Sequence, residues 1–280
     1  MYRLIVASLL THSVYASQFI SPDKCPPNAY RTIMFIDSCP VENADYITTY
    51  FNRPCTQKEH AEKVIKTYRE FGGQKGVWLW TYMQNSNTPS DKGEAVIKGI
   101  EAALFCGVRT INFSGGGSDY SRAENEAVQL YLHFGGVFVA AAGNERSNID
   151  RNDRIKKRKE LESIKGTVPH VKNQKDVEDI LDTFYRPFYP ASYKGVIAVG
   201  AISCSTTDGN YSNYGSKVIY EMGCDKNKTI IGSSLAAPRY TAKLEVMKRE
   251  EEKRRIDADH RRKIKWKKRC RELKANFCNI

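Results

Sequence analysis

Thr32-Ile33-Met34-Phe35-Ile36-Asp37 is an apolar run closed by a carboxylate. A strand with one wet face alternates apolar and polar residues, whereas a continuously apolar run suits a strand covered on both faces, as in parallel sheets. Working outward, Ala61, Val64, Ile65 and Tyr68 fall at helical spacing, and Val77-Trp78-Leu79-Trp80 reads as a second strand. Ala95 to Leu104 is an amphipathic helix, Val108 to Phe113 a strand, Ala123 to Phe134 a helix and Val137 to Ala142 another strand. After an interruption, Val196-Ile197-Ala198-Val199-Gly200 resumes the pattern. Strand–helix alternation at this spacing predicts βαβ units in an α/β fold: three layers, with a mainly parallel, doubly wound sheet between helices.

The chain has 280 residues, 41% of them hydrophobic, enough for one elaborated domain with its own core. Its formal charge of +12 is unevenly placed. Residues 239–274 hold 16 Lys/Arg against 7 Asp/Glu, and residues 146–186 hold 11 against 8, so the remainder is neutral. The expected organisation follows from this. Residues 17–247 form the domain, 146–186 a charged surface insertion within it, and 248–280 a basic helical tail. Met1 to Ala16, with Arg3, the apolar Leu4 to Leu10 and the small-residue Val14-Tyr15-Ala16, reads as a secretory signal peptide. Beyond it no stretch approaches the ~18 consecutive apolar residues of a membrane span. Eight cysteines follow the proposed cleavage point, which suggests disulfides in an exported chain but leaves 105 pairings open. None has zinc-site spacing.

Chemistry is concentrated in Gly232-Ser233-Ser234-Leu235-Ala236-Ala237-Pro238. Small residues before an Ala-Ala-Pro helix start would set Ser234 at a helix N-terminus, where free N–H groups and the helix dipole stabilise developing negative charge. Alone, the stretch also fits a Ser-capped helix with Pro in its first turn.

Read together, the segments resemble the subtilisin-like serine proteases, or subtilases. The serine stretch is similar to that family's Gly-Thr-Ser-Met-Ala-Ala-Pro, differing at Ser233 and Leu235. Val139-Ala140-Ala141-Ala142-Gly143-Asn144 resembles its strand ending in Ala-Ala-Gly-Asn. Ile111-Asn112-Phe113-Ser114-Gly115-Gly116-Gly117 is similar to the cleft segment Ile-Asn-Met-Ser-Leu-Gly-Gly. Tyr189-Pro190-Ala191 and Tyr211-Ser212-Asn213-Tyr214-Gly215 also resemble family segments, in the family's order. Phe35-Ile36-Asp37-Ser38 resembles the strand ending in Asp-Ser/Thr-Gly, with Cys39 where Gly is usual. His60-Ala61-Glu62-Lys63-Val64 shares the first and last residues of His-Gly-Thr-His-Val.

The resemblance implies a doubly wound sheet of the subtilisin type and a secreted serine endopeptidase. Ser234 would be the nucleophile, His60 its general base and Asp37 the group that orients and charges the imidazole. Asn144 would donate to the oxyanion, and Ser114, Gly115 and Gly116 would pair with an extended peptide substrate. On residues alone, Asp37 also reads as a turn cap and His60 as an exposed polar residue at a helix start. A catalytically weak or dead homologue acting as a binding protein stays open. Its ligand would be an anionic polymer or membrane surface, met by Arg261 to Arg269 and Trp266. No specific nucleic acid, cofactor or metal is expected.

Overall fold

The computed structural model describes residues 25–49, 58–81, 89–204, 211–225 and 231–272. The proposed signal peptide lies outside them. Seven strands form one sheet: β1 (Thr32–Asp37), β2 (Tyr46–Thr49), β3 (Gly76–Thr81), β4 (Thr110–Phe113), β5 (Val137–Ala141), β6 (Ile197–Ile202) and β7 (Ile219–Met222). Their order is β2-β3-β1-β4-β5-β6-β7, and every neighbouring pair is parallel. The expected strands are all present. β2 and β7 are additions: they lie at the sheet's two edges and are half exposed, so neither carries a continuous apolar run.

Residue alternation explains how one apolar run serves two layers. Ile33 and Phe35 of β1 pack with Val77 and Leu79 against α1 (Lys58–Glu70) and α6 (Ser233–Glu272). Met34 and Ile36 point the other way, into the larger core with Trp78, Trp80, Ile111 and Phe138. That core is closed by α2 (Pro89–Cys106) and α3 (Arg122–His133). Both faces are therefore dry, as the sequence requires.

The insertion folds into two helices, α4 (Arg151–Ile164) and α5 (Gln174–Phe184). Leu161, Val171, Val177 and Leu181 give the pair a small core of its own. Its basic run is partly neutralised internally: Arg158 pairs with Glu178, and Lys157 with Glu160 at 2.8 Å. Arg154 ties the hairpin together, donating to the carbonyls of Leu181 (2.8 Å) and Tyr185 (2.6 Å).

Composition places a boundary at 247/248, yet α6 runs unbroken across it. What changes there is packing. Ala242 and Glu245 are buried, whereas Ile256 is 62% exposed and the described side chains after it are nearly all exposed. Pairs such as Arg255–Glu251 (2.5 Å) and Lys263–Asp259 (2.9 Å), four residues apart, support a helix that the body no longer covers. Pro238 falls in the second turn of α6 rather than the first; lacking an N–H, it leaves the Ser234 carbonyl without its helical donor. Among the described residues no helix is long and apolar enough to cross a membrane.

Candidate active site

The chain leaves β1 toward β2 and β3 on one side of the sheet, then crosses to β4 on the other. Loops at the carboxyl ends of β1 and β4 diverge at this switch point and open a crevice. Asp37 is the last residue of β1, Ser114 follows β4, and Asn144 lies three residues beyond β5. Topology thus gathers residues that are distant in sequence.

Asp37 is 3% exposed and His60, in the first turn of α1, 40%. The His60 Nδ1 lies 2.9 Å from Asp37 Oδ1 and 3.1 Å from Oδ2. Oδ1 also accepts from the Ser38 backbone N–H (2.6 Å) and hydroxyl (3.1 Å). Ser38 belongs to the Asp-Ser pair that closes the strand motif, but its double hold on the acid is a feature of the folded turn. Cys39 is disulfide-bonded, so the position usually held by Gly is covalently tied. Burial pulls the His60 pKa down and Lys63 pulls the same way. The hydrogen bond and charge of Asp37 outweigh them, and the net shift is upward from 6.5.

Ser234 is the second residue of α6. Its neighbour Ser233 fastens the turn to the loop after β5: the Ser233 N–H donates to Asn144 Oδ1 (2.9 Å), and the Gly143 N–H donates to Ser233 Oγ (3.0 Å). With Oδ1 engaged, the Asn144 amide presents its NH2 elsewhere. A methyl group at Gly232 would lie 3.2 Å from Ser234 Oγ and 3.4 Å from Asn144 Nδ2, so hydroxyl and amide border the same small space.

One pair is therefore hydrogen-bonded, Asp37 with His60, while Ser234 and Asn144 only border the space beside Gly232. The helices of His60 and Ser234 pack directly, with Ala61 and Leu235 in one cluster. Among the described residues, no hydrogen bond joins His60 to Ser234. Catalytic hydrogen bonds are often long until substrate is bound.

Asn213 also holds the site, and its place in the Tyr-Ser-Asn-Tyr-Gly segment was the available signal. Its Oδ1 accepts from the N–H groups of Glu145 (3.0 Å) and Ser147 (2.9 Å). Its Nδ2 donates to the Ala142 carbonyl (2.8 Å) and the Glu145 carboxylate (2.6 Å). Gly143 bends the chain here at φ +97°, with Asn213 and Glu145 occupying the space of a side chain.

On the other wall, buried Ser114 accepts from Asn112 Nδ2 at 2.9 Å, and Thr241 Oγ1 of α6 donates to Asn112 Oδ1 at 2.9 Å. The glycines were expected to admit a second chain. At Gly116 the close approach is to the protein's own Phe188 and Tyr189, which leave no room for a Cβ. Gly117 and Tyr189 exchange backbone hydrogen bonds of 2.9 and 2.6 Å. Gly115 is partly exposed and Gly116 exposed.

A parallel three-layer α/β structure thus carries an acid-paired imidazole beyond β1 and a helix-start serine beside the loop that follows β5. The profile of the Subtilase family matches residues 71–253, and the chain belongs to that family. Ser114, Gly115, Gly116, Asn144 and Ser234 lie inside the matched segment; Asp37 and His60 precede it. Subtilisin DY from Bacillus licheniformis is 29% identical over 147 residues, which is 52% of this chain and 42% of that protein. The major intracellular serine protease of Bacillus subtilis (strain 168) is 26% identical over 172 residues, 58% of this chain and 44% of its own length. The chain thus spans less than half of these curated relatives. The fold is similar to that of the nisin leader peptidase NisP from Lactococcus lactis, with a TM-score of 0.51 at 16% identity, covering 77% of this chain and 76% of that one.

Proposed function

We propose that this subtilase is an exported serine endopeptidase. Ser234 Oγ attacks the scissile carbonyl carbon as His60 Nε2 takes its proton, and Asp37 stabilises the imidazolium. The oxyanion accepts from the Asn144 amide and from the N-terminus of α6. Collapse expels the amine, which leaves with the proton held by His60. Water then cleaves the acyl-enzyme by the reverse relay. Ser114, Gly115 and Gly116 would pair with an extended peptide through backbone groups alone, since Phe188 and Tyr189 fill the space of a side chain at Gly116. The observation that carries this reading is the 2.9 Å contact between the buried Asp37 and His60. Disulfides at Cys25–Cys106 and Cys204–Cys224 favour an oxidising compartment.

The test is labelling by a fluorophosphonate serine-hydrolase probe. The wild type is expected to label, and Ser234→Ala and His60→Ala are not. Labelling of Ser234→Ala at the wild-type rate rejects Ser234 as nucleophile. A folded wild type that does not label favours the non-catalytic homologue instead.

The exposed half of α6 supports a second role. Arg254, Arg255, Arg261, Arg262, Lys263 and Lys265 stand in solvent beside Ile256 and Ile264. We infer that the tail 248–280 meets anionic polymer or membrane surface, helping the domain 17–247 find its substrate. Removal of 248–280 should lower the salt concentration needed for elution from heparin. Unchanged elution dismisses the role.

A further inference from the structure

α1 and α6 each carry one reacting group in the first turn, and they run side by side away from the site. Near that end their contact is aliphatic: Ala61, Val64 and Ile65 against Leu235 and Ala242. Such contact resists separation, but it is non-directional and sets no unique slide or rotation of one helix along the other. Direction enters further along.

Tyr68 lies eight residues beyond His60 on α1, and Glu245 eleven beyond Ser234 on α6. Both are buried, and the Tyr68 hydroxyl donates to Glu245 Oε2. The same carboxylate accepts from the Gln74 N–H at 3.3 Å and the Lys75 N–H at 3.4 Å, on the segment leading into β3. Arg249, one turn further along α6, sits 3.4 Å from Glu245 Oε1 and donates to the Gly72 carbonyl at 2.9 Å. Phe35 of β1 packs edge-on to the Tyr68 ring, with centroids 5.2 Å apart. Burial, then the bond to Glu245, push the Tyr68 phenol far above its ordinary pKa, so it remains a donor.

A buried carboxylate is a poor way to gain stability, because its desolvation offsets most of what its partners return. What it supplies is direction: one geometry satisfies the phenol and two backbone N–H groups together, with a guanidinium alongside. At ~1.5 Å rise per residue the clamp lies about 12 Å from His60 along α1 and about 16 Å from Ser234 along α6. We propose that Tyr68 and Glu245 are positioning residues, a clamp that registers the helix of His60 against the helix of Ser234. This rests on the triad reading above.

The experiment is fluorophosphonate acylation measured against probe concentration, with Tm recorded on the same samples. It compares the wild type, Tyr68→Phe, Glu245→Gln and the double variant. Each single variant should lower the limiting acylation rate per folded molecule by roughly 10–100-fold. Probe affinity should stay unchanged, and the double variant should be no slower than the slower single one. Wild-type acylation rates despite a lowered Tm would make the clamp merely structural and overturn the proposal. If Glu245→Gln does not fold, Tyr68→Phe decides, since it removes one oxygen and keeps the ring against Phe35. A folded but unreactive wild type would sink the triad reading, and this inference with it. A reactive wild type with equally reactive variants sinks this inference alone.

Discussion

His60 is pulled in opposite directions by its surroundings. Burial and Lys63 favour the neutral imidazole, Asp37 the charged one, and Asp37 prevails. In its proposed role of general base His60 must be neutral, so kcat/KM should rise with pH along a limb whose apparent pKa lies above 6.5. Asp37→Asn removes both upward influences. The limb should then move down, and kcat should fall by about 10⁴-fold as the tautomer is lost. Lys63→Gln should move the limb up. A pH–rate profile with a chromogenic peptide checks all three, and a limb indifferent to Asp37 would contradict the pairing. The pair was only partly legible in sequence, because Asp37 closes a recognisable strand while His60 stands among Lys58, Glu59, Glu62 and Lys63. Only contact with a buried carboxylate separates it from an ordinary surface histidine.

The loop between β5 and α4 carries Asn144, yet much of what holds it comes from Asn213, nearly 70 residues later. Asn213→Ala would orphan the Glu145 and Ser147 N–H groups and the Ala142 carbonyl. A cost of about 1–3 kcal/mol in urea unfolding is expected. Asn144, the proposed oxyanion donor, should loosen as well, lowering kcat more than it alters KM. A variant with unchanged midpoint and kcat would show that the loop holds itself. At this scale the helices and inner strands were legible, because each carries a run or period that survives in the chain. The edge strands β2 and β7 were not, since strands with few buried positions have no such signature. The insertion's two helices were visible in the sequence only as a charged segment. Their burial is against each other, around Leu161 and Leu181.

Across the molecule, stability should depend on pH through Glu124 in the first turn of α3. Its Oε1 is buried and, among the described residues, has no hydrogen-bond partner. Burial, only partly countered by Tyr193, raises its pKa from 4.5 to about 7. The folded state therefore prefers the neutral acid. Its contribution is complete below pH 4.5 and is lost as pH rises through about 7. At about 1.4 kcal/mol per unit, the loss is at most about 3.5 kcal/mol. Glu124→Gln should flatten this part of a plot of unfolding free energy against pH. A variant that keeps the wild-type slope would assign the slope elsewhere.

By itself the chain determined the layers, because apolar runs and helical periods are local, and it determined the serine turn and the cleft strand, because their motifs are contiguous. Tertiary structure alone decided which distant groups meet. It paired Cys25 with Cys106 and Cys204 with Cys224 from the 105 pairings open to the sequence. It set Asp37 against His60 and gave Gly116 to Phe188 and Tyr189. It also brought Tyr68 to Glu245 across 177 positions. Such partners are selected by the order in which strands cross the sheet, a property of the whole chain that no segment carries.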